Sequence, residues 1–285
     1  MAAYQHTRSN SLPTRTHPII SEFNDQLRRL RDSEATSSTS TSISQKLNCL
    51  QDLHDCVGNL LLLPFTQALA KEQHENLVNE MLDGSLRLLD VCSIARDALL
   101  QTKECTRELQ STLRRRHGSK MEITREVEKY LASRKLVKKA IQKAIKGMQI
   151  KFNYKKVGDL AIICMLKELE AVTCTVFVSL LAFIAKPKLQ PMLSSWLLVS
   201  KLVLHKRVAC EGEETDANEF EMVDGVLQSL IRHKTSKSDY SVQIDNVQTS
   251  LGNLELNIQD LEEVLECLSR RIVKTRVSLL NILNH

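Results

Sequence analysis

Glycine and proline are scarce, at 8 and 5 in 285 residues, and aromatic side chains make up only 4% of the chain. Many short strands would need turn-forming residues between them and β-branched or aromatic side chains along them, so this scarcity argues against sandwiches, barrels and doubly wound sheets. Most common enzyme scaffolds go with them. The hydrophobic share of 42% is enough to build a core, which excludes a wholly disordered protein. An all-α chain is what remains.

Clustered metal ligands are missing as well. The eight cysteines, Cys49, Cys56, Cys92, Cys105, Cys164, Cys174, Cys210 and Cys267, never form a CxxC pair. Cys92 and Cys164 sit among apolar neighbours, where a free thiol acts as a small buried hydrophobe. His54 and Cys56 are two residues apart, a spacing that turns them to different faces of a helix. Gly118-Ser119-Lys120 lacks the earlier glycine and the strand of a phosphate-binding loop, and no GxGxxG, GxSxG or HExxH occurs. Asp52 and Asp55 read as solvent-facing helix charges, and the expectation is of no catalytic residue, cofactor or metal. The first twenty residues hold no apolar secretory segment, so a cytoplasmic chain is expected, with peripheral membrane contact as the alternative.

Net charge is small at +5, but its distribution is uneven. Lys129 to Lys156 carries ten basic residues and no acid, while Glu211 to Asp224 carries seven acidic residues and no Lys or Arg. Such segregation fits two external partners of opposite charge, or two segments that meet inside the fold.

Apolar spacing of three and four residues recurs along nearly the whole chain. After a polar tail over 1–20, a short helix (Phe23, Leu27, Leu30) and a Ser/Thr-rich linker fill 21–41, with Ser42 as the expected N-cap of the next helix. The remainder, 42–285, reads as one helical bundle with an acidic break near 205–216. A helix from Ile43 stops before Pro64, and another runs from Leu77 to Leu113, closing on Arg114-Arg115-Arg116-His117-Gly118. Basic residues followed by glycine suit a helix C-terminus better than a nuclear-localisation fragment. Ala171 to Ala185 is free of charge but only fifteen residues long, short of the ~20 a bilayer needs, and reads as a buried central helix. Leu189 to Leu204, with Trp196, adds another apolar helix.

From about Ser241 to Leu283, Ile244, Leu251, Ile258, Leu265, Ile272 and Leu279 repeat every seven residues. Val247, Leu254, Leu261, Leu268 and Ile282 fill the intervening series, broken only by Thr275. The seam fits a coiled-coil dimer or a long helix packed within its own chain; the few flanking charges favour the second, and the oligomeric state stays open. The fold expected is an elongated helical bundle with long antiparallel helices and a C-terminal heptad-patterned helix.

Two features bear on partners. Arg8, Ser11 and Pro13 form the R-S-x-S-x-P pattern of a basophilic phosphorylation site, which phosphorylated Ser11 would make a ligand for 14-3-3 proteins. The helix carrying Val127, Tyr130, Leu131, Val137, Ile141, Ile145 and Met148 also carries Lys135, Lys138, Lys139, Lys143 and Lys146, a basic surface suited to a bundle's solvated face, an acidic helix or an anionic membrane. With no nucleic-acid-binding signature beside it, that charge does not point to DNA or RNA.

Five blocks carry a resemblance: Arg8 to Pro18, Leu62 to Gln67, Leu82 to Cys92, Tyr130 to Lys135, and Lys274 to Leu283. Taken together and in order, they are similar to the plant-specific DUF241 family, related to BYPASS-type proteins. The second residue of the opening motif, often apolar in that family, is Asn10 here. The resemblance implies a non-enzymatic helical plant protein, a regulator or adaptor associated with root and shoot development, and brings no catalytic residues.

Overall fold

The computed structural model describes residues 18–33, 39–63, 66, 72–115, 120–148, 161–185, 218–232 and 237–284. Seven helices account for nearly all of them: α1 (Pro18–Ser33), α2 (Ser40–Leu61), α3 (Glu72–Arg114), α4 (Lys120–Gly147), α5 (Ala161–Ala185), α6 (Glu219–Arg232) and α7 (Lys237–Leu283). No strand occurs among the described residues. The phosphorylation-type motif, the Trp196 segment and the acidic stretch 205–216 lie outside them.

Two helices set the length of the molecule. α3 has 43 residues and α7 has 47, so at 1.5 Å per residue each runs about 65–70 Å. They are antiparallel: Arg107 pairs with Glu255, Lys103 with Glu262, the Cys92 thiol meets the Leu265 carbonyl, and Arg276 reaches Ser85. The heptad seam of α7 is buried in this chain's own bundle. Leu251, Leu254, Ile258, Leu261, Leu265 and Leu268 are fully enclosed, packed by α2, α3 and α6. α2 covers the C-terminal half of the seam through Gln51 to the Val264 carbonyl and Asp55 to Arg271, while α4 runs antiparallel along the C-terminal half of α3.

Several boundaries differ from the sequence reading. α1 begins at Pro18, inside the stretch assigned to the tail, because proline's fixed φ and missing N–H suit the first helical turn. Its Phe23, Leu27 and Leu30 belong to the same core as the long helices. The N-cap of α2 is Thr39, not Ser42: its hydroxyl accepts the Ser42 amide at 3.3 Å, and Ser42 is a buried residue of the helix. α7 starts at Lys237, ahead of Ser241. Cys92 is buried as expected, whereas Cys164 is exposed. Its apolar neighbours Ile162, Ile163, Met165 and Leu166 occupy the inward arc of α5 and leave position 164 facing outward.

α5 is longer than its charge-free stretch suggested. Ile162–Ala185, with mean hydropathy 1.8, is long and apolar enough to cross a membrane. The charges near its start are each paired across the bundle: Lys167 with Glu80 at 3.5 Å, Glu168 with Arg31, and Glu170 with Arg87 at 2.9 Å. Val176, Phe177, Leu180, Leu181 and Ile184 are enclosed by protein, α5 packing on α2, α3 and α4.

The Glu170 to Arg87 pair depends on Gly84. A Cβ at Gly84 would overlap the Glu170 carboxyl group, so the absence of a side chain on α3 lets the carboxylate lie against the helix backbone. Burial pushes the Glu170 carboxyl above its ordinary range, and the Arg87 hydrogen bond and charge oppose that rise. Gly84→Ala is expected to displace Glu170 and break the pair, offsetting the ~1 kcal/mol of helix propensity that alanine adds. In a double-mutant cycle read by urea denaturation, Arg87→Ala should then cost measurably less in the Gly84→Ala background than in the native chain.

Candidate functional site

Near the C-terminus of α5 three helices converge on one guanidinium. Arg134 occupies the apolar stripe of α4, four residues after Tyr130 and three before Val137, and is only 2% exposed. Its Nη2 donates to the Ile184 carbonyl at 2.8 Å, its Nε to Asp224 Oδ1 at 3.3 Å, and its Nη1 reaches the Thr102 hydroxyl at 3.5 Å. The Phe220 ring lies 5.0 Å from the guanidinium carbon, and Phe183 meets Phe220 edge to face at 5.6 Å. Lys138, one turn along α4, donates to the other Asp224 oxygen at 2.8 Å.

Each contact answers a physical need. Helix ends leave carbonyls without intrahelical partners, and α5 ends in the interior, where Ile184 and Ala185 are 0% and 1% exposed. Arg134 satisfies Ile184, and the Asn218 side-chain amide satisfies Phe183 at 2.6 Å. The oxygen of that same Asn218 side chain accepts the Glu221 amide at 2.9 Å, so one residue caps the end of α5 and the start of α6. Two buried charges, Arg134 and Asp224, are thereby matched and hydrogen-bonded.

This settles part of the charge segregation seen in the sequence. The basic run and the acidic run do meet, at Arg134, Lys138 and Asp224. Lys138 is consequently not part of a free basic surface. Lys135, Lys139, Lys143 and Lys146 are exposed and have no ion-pair partner among the described residues. Spaced by four, four and three residues, they form a row about 16 Å long on the outer face of α4, with exposed Leu136 and Ala140 beside it. Arg8, Ser11 and Pro13 lie outside the described residues.

A second polar cluster sits deeper. His54 of α2 is 3% exposed, and its Nε2 lies 3.1 Å from the Thr173 hydroxyl. Because that hydroxyl donates to the Leu169 carbonyl at 2.7 Å, its oxygen accepts from His54, which assigns the proton to Nε2 and leaves Nδ1 without a protein partner. Nearby is a cavity of about 30 Å³, lined by His54, Ser85, Glu170, Thr275 and apolar side chains, with room for one water molecule. Thr275, the break in the heptad series, therefore lines this cavity together with His54, Ser85 and Glu170.

Neither cluster assembles a nucleophile, a base and an oxyanion donor. Burial pushes the thiols of Cys56 and Cys92 up to about 11 and that of Cys174 to about 12, keeping them protonated at neutral pH. Among the described residues no group of three His, Cys, Asp or Glu side chains is placed to hold a metal ion.

Residues 46–282 match the protein-family model described as Protein BPS1. No curated protein and no solved structure is matched.

Two measurements test these interiors. Arg134→Ala removes three hydrogen bonds and leaves Asp224 buried with one partner, and is expected to cost about 3–5 kcal/mol by urea denaturation. Lys138→Ala, at a part-exposed position, should cost less than about 1 kcal/mol. Burial lowers the His54 pKa from 6.5 to about 3, so below pH 6.5 the unfolded chain binds a proton that the folded chain refuses. This stability contribution is complete above pH 6.5 and is lost as pH falls toward 3, by up to ~1.4 kcal/mol per pH unit. Between pH 6.5 and 5 the slope should flatten in His54→Leu.

Proposed function

The chain belongs to the BPS1 family, and from that premise we propose that it is a non-catalytic plant regulatory protein that works by docking an acidic partner protein on the lysine row of α4. The observation that carries this reading is the row itself: Lys135, Lys139, Lys143 and Lys146 stand exposed with no ion-pair partner among the described residues, while the interior charge of the same helix is neutralised by Asp224. Spacings of four and three residues match one face of an opposing helix, so an acidic amphipathic segment can meet several lysines at once. The small Ala140 and exposed Leu136 give such a segment an apolar strip to lie on.

A lipid surface is the second reading, supported by the same lysines, each worth about 1 kcal/mol near an anionic leaflet. The apolar stretch Val172 to Ile184, which such a reading would use for deeper contact, is enclosed by the bundle, with both end residues at 7% exposure or less. That favours the protein partner. The setting we propose is root and shoot development or stress signalling in the cytoplasm, following the family resemblance. Phosphorylation of Ser11 in the Arg8 to Pro13 motif would add a regulated docking point for 14-3-3 proteins.

Affinity purification from plant tissue, with the native chain, a Lys135/Lys139/Lys143/Lys146→Glu variant and Ser11→Ala as baits, tests both parts. Loss of a common set of partners with the fourfold variant, alongside no sedimentation with phosphatidylserine vesicles, is the expected result. Salt-sensitive sedimentation abolished by the fourfold change would transfer the row to the membrane reading. Recovery of 14-3-3 proteins should depend on Ser11 alone.

A further inference from the structure

The C-terminal end of α3 carries a feature that the lysine row does not explain. Between α3 and α7 lies an open groove of about 540 Å³, lined by Arg107, Gln110, Ser111, Arg114, Arg115 and Glu255. Such a volume suits a small ligand. Three guanidiniums against one carboxylate leave the groove with a formal charge of +2.

The arginines are only partly engaged. Arg107 uses Nε on Glu255 at 2.5 Å, which leaves its terminal nitrogens open. Arg115 folds back on its own helix, its Nε on the Ser111 carbonyl at 3.3 Å and its Nη2 on the Ser111 hydroxyl at 3.4 Å. That contact covers one of the carbonyls at the negative end of α3, which would otherwise repel an anion. Arg114 is exposed and has no partner among the described residues.

Gln110 supplies an independent sign. It is 5% exposed, it lines the groove, and its carboxamide makes no hydrogen bond among the described residues. The carboxamide is not among the fully enclosed groups left without a partner, so it keeps contact with solvent and is free to meet a ligand there. Its amide places N–H donors in the same groove as the guanidiniums of Arg107, Arg114 and Arg115.

We propose that this groove binds a phosphate group, with Gln110 donating from below and Arg107 and Arg114 from the sides. Guanidinium donors suit phosphate oxygens through paired N–H bonds, and a charge of +2 balances a phosphate dianion. The phosphate can belong to a soluble small molecule or to a lipid headgroup, since the groove is open to solvent. The site is separate from the lysine row, and neither depends on the other.

Calorimetry of the full chain with inorganic pyrophosphate, and sedimentation with phosphatidylcholine vesicles with and without phosphatidylinositol 4-phosphate, test the proposal. Saturable binding to either probe is expected, weakened at least tenfold by Gln110→Leu and by Arg114→Ala and unaffected by Lys274→Glu, an exposed position on α7 outside the groove and the lysine row. Arg114 is exposed, so its alanine variant reports on binding even if Gln110→Leu perturbs the core. Binding to the phosphoinositide vesicles alone assigns the phosphate to a headgroup; binding to pyrophosphate assigns it to a soluble compound. Absence of binding to both probes, or binding that Arg114→Ala and Gln110→Leu leave unchanged, overturns the proposal.

Discussion

A helix that ends inside a protein must find partners for its last carbonyls, and at the end of α5 that requirement is met by Arg134 and Asn218. The consequences spread outward. A buried guanidinium requires an anion, which Asp224 of α6 provides; Asp224 in turn draws in Lys138. Asn218 begins α6 with the same side chain that closes α5. Three helices distant in sequence are thus held at one point by groups that water could otherwise have satisfied, and the aromatic pair Phe183 and Phe220 covers the contact.

The most apolar helix shows how composition and context divide the work. By length and hydropathy α5 passes for a membrane span. Its three charges near the start, however, are matched by Glu80, Arg31 and Arg87 from α3 and α1, and its apolar faces are filled by neighbouring helices. The bundle supplies the low-polarity surroundings that the helix needs. Gly84 belongs to the same arrangement, because it gives the Glu170 carboxylate a place against α3 beside Arg87.

The division of charge also separates structure from interaction. On α4, Arg134, Lys138 and the exposed Lys129 are used within the fold, while Lys135, Lys139, Lys143 and Lys146 have no ion-pair partner among the described residues. On α3, Arg87 is matched within the bundle, while Arg114 at the end of the helix has no partner among the described residues. The surfaces left with unspent charge are where a partner would gain most from neutralising it.

The all-helical class, the long C-terminal helix and most core positions follow from the sequence alone, because apolar spacing near 3.6 is a local property that survives any packing. The seam from Val247 to Ile282 and the stripe of α4 are buried where their spacing puts them. Arg134 and Asp224 were legible only as charged residues standing in apolar registers, and nothing local says that they stand opposite each other, 90 positions apart. Thr275 marked itself as an interruption, but the cavity it lines beside His54, Ser85 and Glu170 is assembled from α2, α3 and α5. The exposure of Cys164, the turn of Lys138 away from the lysine row and the place of Gln110 in the arginine groove were decided by tertiary structure. Sequence determines which faces a helix has; which neighbour each face meets, and which charges are consumed in meeting it, depends on contacts between residues far apart in the chain.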